Sequence, residues 1–452
     1  MFVSGTRQFA SLPSAAPRRA QSLWIAAVAV AAAMAVVLGI ALTGWKVVAI
    51  VVALGGGLLL VRFPEIALGC LMVIGTFKAA PQFDSLPVDP TLVFVLVLLG
   101  VMGIRFCRKS TIPLPWELSL YVPIVLMMLL SLLYTPDLSG GLEKTARFVV
   151  INGVSILAPF AILDSPLKFK RFFMTLLTAG LIASLTSLNM LGGHERLTTP
   201  GGDTIQLGHD AALGIAILWF GLLPGQKVPV RVGLYAALGV MLVAMLGSGS
   251  RGPFIGLAGC ILLSVWYRRR VGFRSGQLIF DFGALVILGA LLLTVVSIPQ
   301  ESLAYLARLG DVQSATAFLG PRAALLRKGW QLTVEHPLAG VGIDGFPVLF
   351  TGIGNWPHSI PVELSSELGI GAAVSFLALQ LVSLRTALKE FFMADERWRL
   401  TASLVLCFMV MEAISMLNTG NVNDNRQLWA CLSLPFVLRY LRTAERSDDH
   451  AG

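Results

Sequence analysis

Residues 90–107 read PTLVFVLVLLGVMGIRFC. Only Arg105, near the end, carries a charge, and the run is too long and too evenly apolar for a strand or for the surface helix of a soluble domain. At 1.5 Å per residue it approaches the roughly 20 apolar residues that a helix needs to cross a bilayer core. Similar runs recur near 24–42, 46–61, 65–79, 116–134, 145–163, 168–191, 209–224, 231–247, 252–267, 278–298, 359–384, 400–417 and 428–441, with short polar breaks between them. The fold class expected from this pattern is all-α, a polytopic transmembrane helical bundle of about 12–14 spans. Hydrophobic residues make up 56% of the chain and charged ones only 13%, and the mean hydropathy is +0.79, a balance that excludes an ordinary soluble multidomain enzyme.

The run beginning at Trp24 follows Arg7, Arg18 and Arg19, as the core of a signal peptide would. It is too long for one and leads straight into another span, so it reads as a retained helix. The expected organisation is a basic tail (1–23), a transmembrane bundle (24–298), an extracytoplasmic loop (299–357), further transmembrane helices (358–441) and a second tail (442–452). With both tails cytoplasmic, about two thirds of the basic residues fall in cytoplasmic loops, a strong positive-inside bias. The net charge of +9 is thereby explained by topology. No basic stripe interleaved with aromatics points to nucleic acid. Five cysteines lie in or beside apolar runs without CxxC spacing, so neither a disulfide nor a zinc site is expected.

Basic residues on the outer side are few, and topology does not require them. Arg196 lies in HERLTTPGGDTIQLGHD (194–210), Arg251 in GSGSRGPF (247–254), and Arg322 in PRAALLRKGWQLTVEHPLAGVGIDGF (321–346). For any one of them, snorkelling to lipid headgroups or a solvated helix face is an equally good explanation. Arg251 is the strongest candidate, because a very short turn between two spans holds it close to the protein body. His358 stands in NWPHSIPVELSSELGIG (355–371), where Ser359 can cap a helix that Pro361 helps to start. Alone, a histidine beside Trp356 and Pro357 is more often a boundary residue than a catalyst. Glu363 and Glu367 share one face of that helix, turned away from His358, where either could contact Arg322 or Arg251. His194 and His209 are too loosely spaced for a metal motif. The outer loops hold no phosphate-binding glycine loop, GxSxG or HExxH, which leaves nucleotide hydrolysis, serine hydrolysis and zinc proteolysis unsupported. An outward set of arginines with one histidine suits a substrate with an anionic leaving group, the arginines neutralising a diphosphate and the imidazole taking a proton from an incoming hydroxyl.

GSGSRGP, the later R…W…HPLAGVGIDGF stretch, and His358–Ser359 followed by nine residues and Gly369 together resemble the O-antigen ligase and polymerase family of bacterial membrane proteins. The resemblance covers roughly residues 190–385. It departs from the family pattern in one place, with Ala372 where a second glycine is expected. It implies a metal-independent, cofactor-free glycosyltransferase of the membrane-embedded C type, in the bacterial inner membrane with its site facing outward. Its partners would be an undecaprenyl-diphosphate-linked glycan donor, a glycan, lipid or protein acceptor, and membrane lipid. By the same resemblance His358 would be the general base or the residue that positions the acceptor, Arg196 and Arg322 would hold the diphosphate, Arg322 acting in catalysis as well, and Arg251 would assist or brace that site. The rival expectation is a transporter or flippase for an anionic or lipid-linked solute, for which Glu412 and Asp281 within spans, with Asn152 and Asn189 along a path, would be the relevant groups.

Overall fold

The computed structural model describes residues 57, 59–78, 80, 89–108, 111–222, 227–270, 283, 298–307, 312–350, 356–418 and 421–451. The expected tail 1–23, the span 24–42 and nearly all of 46–61 and 278–298 lie outside them, as does Asp281. The chain forms two compact units, 1–62 and 63–452. The first is described only by helical residues at 57 and 59–62. Everything below concerns the second.

Its described residues are helical or irregular, without strands. The helices are α1 (Pro64–Lys78), α2 (Pro90–Cys107), α3 (Tyr121–Ser131), α4 (Leu138–Arg147), α5 (Gly153–Ile162), α6 (Pro166–Ser187), α7 (Thr204–Ile217), α8 (Val228–Ser248), α9 (Arg251–Arg270), α10 (Gln300–Ala307), α11 (Val312–Glu335), α12 (Gly345–Leu349), α13 (Ile360–Leu368), α14 (Ile370–Met393), α15 (Glu396–Asn418) and α16 (Arg426–Ala451). Among the described residues six helices are long and apolar enough to cross a membrane, with Leu138–Ile162 reading through a π-helical turn at Phe148–Asn152 as one of them. The chain is a polytopic helical membrane protein.

Local chemistry sets the helix starts. Asp89 accepts a hydrogen bond from Thr91 N at 2.7 Å and Pro90 opens α2. Asp203 accepts from Ile205 N and Gln206 N to cap α7, and Asp137 accepts from Gly140 N to cap α4. These carboxylates satisfy N–H groups that a helix start leaves without intrahelical partners. Leu92, Leu96, Leu99 and Phe106 of α2 are exposed, as a lipid-facing helix requires, whereas Val95 and Leu98 on its other side are buried. At the centre α7 packs on α6, α8 and α9, and α16 packs on α5, α14 and α15.

Charges sort to the two ends of α1. At its start Glu65 pairs with Arg171 at 2.9 Å, and nearby Arg105 and Lys168 share Asp164. Lys78, at its far end, approaches Asp89 to 3.8 Å.

The expected span at 359–384 is two helices. Gly369, between α13 and α14, has φ of 89°. A Cβ there would lie 2.3 Å from the Leu338 carbonyl oxygen, so only glycine permits the approach. The 337–342 turn is stapled across the break, with Ile370 N donating to Pro337 O and Val341 N to Ser366 O. Apolar patterning is blind to such a break, because both halves are equally apolar. Ala372 is fully buried without difficulty, so this position takes a methyl where the family pattern has glycine. Gly369→Ala is expected to cost roughly 1–3 kcal/mol through backbone strain and clash. A thermal melt of the purified protein in detergent checks this, and an unchanged midpoint would contradict it.

Candidate active site

His358 lies one residue before Ser359, the N-cap of α13, and its φ is 56°. A non-glycine residue in this region is strained, so its surroundings must hold it there. Ser359 occupies the cap position but its hydroxyl makes no capping bond, contrary to expectation; Pro361 provides the start. Trp356 flanks His358, with ring centroids 5.6 Å apart. Both His358 Nδ1 and Trp356 Nε1 are buried without a hydrogen-bond partner among the described residues. Burial and then the positive charge of Arg322, on α11, hold the His358 imidazole below its ordinary pKa of 6.5. At neutral pH it is therefore an uncharged base.

His358 opens onto a polar cavity of about 460 Å³. Lys78 of α1, Asp203 and Gln206 near the start of α7, and Arg426 and Gln427 at the start of α16 also line it. Further in, His209 Nε2 sits 2.9 Å from Glu412 Oε1. Next to that pair Asp210 accepts from Thr76 Oγ1 at 2.6 Å and from the side-chain amides of Gln206 and Gln427 at 2.8 and 3.2 Å. Buried ionisable groups cost too much to be kept in a membrane bundle without partners, and these have them.

Arg196 and Arg251 come together at a neighbouring feature. Arg196 Nε donates to Ser248 O at 2.7 Å and Leu197 N donates to Gly247 O at 2.9 Å, docking the 194–203 segment on the GSGSR turn. Gly249 ends α8 with φ of 62°, and a Cβ there would press on Arg196 Nε and on Ser302. Arg251 is the first residue of α9 and half-buried. Neither arginine lines the His358 cavity. Two adjacent residues of α7 join the two places: Gly208 faces Ser248, Ser250 and Pro253, and His209 lines the cavity. Of the residues expected from sequence, Arg322 lies near enough for its charge to act on His358, and Arg196 and Arg251 share the neighbouring GSGSR turn.

Glu363 and Glu367, expected to reach Arg322 or Arg251, pair with Lys144 of α4, at 2.8 and 2.7 Å. Asp344 stands 3.8 Å from the same amine. Glu363 also accepts from Val422 N, and Asn423 Nδ2 donates to the Lys144 carbonyl, so this hub fixes the 421–425 segment between α15 and α16. Asn152, expected along a solute path, instead donates to Val422 O. Lys144 and the polar run NVNDNRQ (421–427) were the groups that sequence reading passed over. Their signal was the density of amides and charges in a break between two apolar runs. Among the described residues no three His, Cys, Asp or Glu side chains assemble as a metal site would require.

A multi-pass membrane protein with an imidazole, a cation beside it and a polar cavity at one end is the class that these observations define. Residues 236–377 match the family model described as O-antigen ligase, a range that includes Arg251, Arg322 and His358 and excludes Arg196. That part of the chain is therefore similar to the O-antigen ligase family. No curated protein matches the sequence.

Proposed function

We propose that the protein is a glycosyltransferase that moves a glycan from undecaprenyl diphosphate to an acceptor hydroxyl, working at the outer face of the bacterial inner membrane with both termini cytoplasmic. The observation that carries this reading is the uncharged imidazole of His358 on a polar cavity, its Nδ1 without a hydrogen-bond partner among the described residues and within reach of the Arg322 charge, inside the family match. His358 takes the proton of the acceptor hydroxyl while its oxygen attacks the anomeric carbon from the side opposite the diphosphate. Arg322 faces the charge that builds on the leaving diphosphate, the kind of oxyanion a guanidinium grips in bidentate fashion. Arg196 and Arg251 brace the turn beside the cavity and supply further positive potential for the same anion. The mechanism asks nothing of a metal or cofactor.

Transfer of a radiolabelled glycan from undecaprenyl diphosphate by the purified protein in lipid tests the reading, and absence of transfer with any surface-glycan acceptor overturns it. The pH dependence carries a further expectation. A base held below pKa 6.5 stays active to lower pH, so the acid limb of kcat/KM is expected below that value. Arg322→Ala removes one of the two influences that lower it, and should move the limb upward as well as slowing transfer. A limb that stays in place would remove Arg322 from the surroundings of the base.

A transporter would use different groups, namely the buried His209–Glu412 pair and Asp210 between α7 and α15. Uptake of labelled lipid-linked glycan into proteoliposomes, with no transfer product, would favour that second reading.

A further inference from the structure

We propose that a second, smaller polar cavity is the acceptor-glycan subsite, separated from the His358 cavity by Trp356 and Asp424. This inference rests on the glycosyltransferase reading above. The smaller cavity measures about 310 Å³, within the range of small-ligand sites, and Trp356 and Asp424 line both cavities.

Charge decides what each can hold. The smaller cavity has two cations at its wall, and both are already neutralised. Lys144 lies between Glu363 and Glu367, with Asp344 close by, and Arg147 pairs with Glu143. Asp424 adds one more carboxylate. A diphosphate would meet net negative charge there. At the His358 cavity Lys78 and Arg426 stand against Asp203, Glu412 and Asp424, and the charge of Arg322 reaches His358 besides. The anionic donor therefore belongs in the larger cavity, and an uncharged ligand in the smaller.

Hydrogen-bonding capacity narrows the class of that ligand. Trp356 Nε1 is a donor without a partner, and Asn423 Oδ1 an acceptor without one, both buried among the described residues and both at the smaller cavity. Leaving such groups unpaired costs free energy that a bound group can recover. A hydroxyl accepts from an indole N–H and donates to an amide oxygen, so a polyhydroxylated ligand satisfies both. Asn423 is held ready for this, since its Nδ2 donates to Lys144 O at 2.9 Å and its backbone N to Asn421 Oδ1 at 2.9 Å.

With the acceptor seated there, its reactive hydroxyl passes Trp356 into the larger cavity. The hydroxyl proton goes to the His358 imidazole, the oxygen bonds the anomeric carbon, and the bond from that carbon to the diphosphate oxygen breaks with its electron pair on the diphosphate.

The test uses the full chain in lipid, with undecaprenyl-diphosphate-linked glycan as donor and, as acceptor, the surface-glycan acceptor fraction extracted from cells lacking this protein. Trp356→Phe keeps the ring and deletes the N–H, and should raise the acceptor KM about three- to tenfold with the donor KM unchanged. Pro347→Trp, on α12 in the wall of the smaller cavity alone, fills that cavity and should raise the acceptor KM more than about tenfold, again sparing the donor. A rise in donor KM alone, or no change in acceptor KM in either variant, overturns the assignment while leaving the glycosyltransferase reading intact. Wild-type protein that transfers nothing overturns both.

Discussion

His358→Ala is expected to lower kcat for glycan transfer by roughly 10²–10⁴, the usual contribution of a positioned general base. Donor affinity should change little, because the imidazole is uncharged at neutral pH and adds nothing to the grip on a diphosphate. The strained φ of 56° sharpens the expectation. Alanine is no more at ease there than histidine, whereas His358→Gly would relieve the strain and still lack the base. If the loss comes from missing chemistry, both variants fail alike; if it comes from a disturbed start of α13, glycine should recover activity. Steady-state transfer by the two variants, with a thermal melt to confirm folding, separates these cases. Full activity in both would remove His358 from the mechanism.

Much of the fold was legible because bilayer thickness imposes a length on apolar runs. The run 90–107 became α2 to the residue, and 168–191 became α6 with a short continuation. What patterning missed was a discontinuity with no apolar signature, the Gly369 break, whose cause lies in a turn some thirty residues earlier. For the site, motif order singled out His358 and Arg322, and the charge of Arg322 reaches the His358 imidazole. The shared face of Glu363 and Glu367 was readable from their spacing, but their cation was not, since Lys144 precedes Glu367 by 223 residues. A lone lysine near a helix end reads as a snorkelling residue until its partners are seen. His209 was set aside as unfit for a metal, and its actual partner, Glu412, lies 203 residues away. Long-range ion pairs leave no local trace in a sequence, and in this chain they hold the cavity walls in place.

Lys144→Met carries the largest expected effect on stability. The amine is 11% exposed, and the two glutamate side chains that it serves are 1% and 2% exposed. Removing the cation leaves two buried carboxylates facing each other, which for a broken buried pair costs roughly 3–5 kcal/mol. The expected result is a markedly lower melting temperature in detergent. Protonation relieves the repulsion, so in the variant the folded state binds these protons more readily than the unfolded chain does. Stability then falls as pH rises, and the deficit against wild type should shrink as the medium is acidified. Lys144→Met combined with Glu363→Gln and Glu367→Gln removes all three charges and should recover most of the loss. Recovery of stability need not bring recovery of transfer. The carboxylates also fix Val422 and Asp344, accepting from Val422 N at 3.1 Å and Asp344 N at 3.2 Å, and those contacts set the segment that carries Asp424 to the wall between the cavities. A triple variant that melts near wild type yet binds acceptor poorly would locate the role of the hub in positioning that wall. Wild-type stability in Lys144→Met alone would instead mean that solvent reaches the carboxylates and that the hub holds nothing.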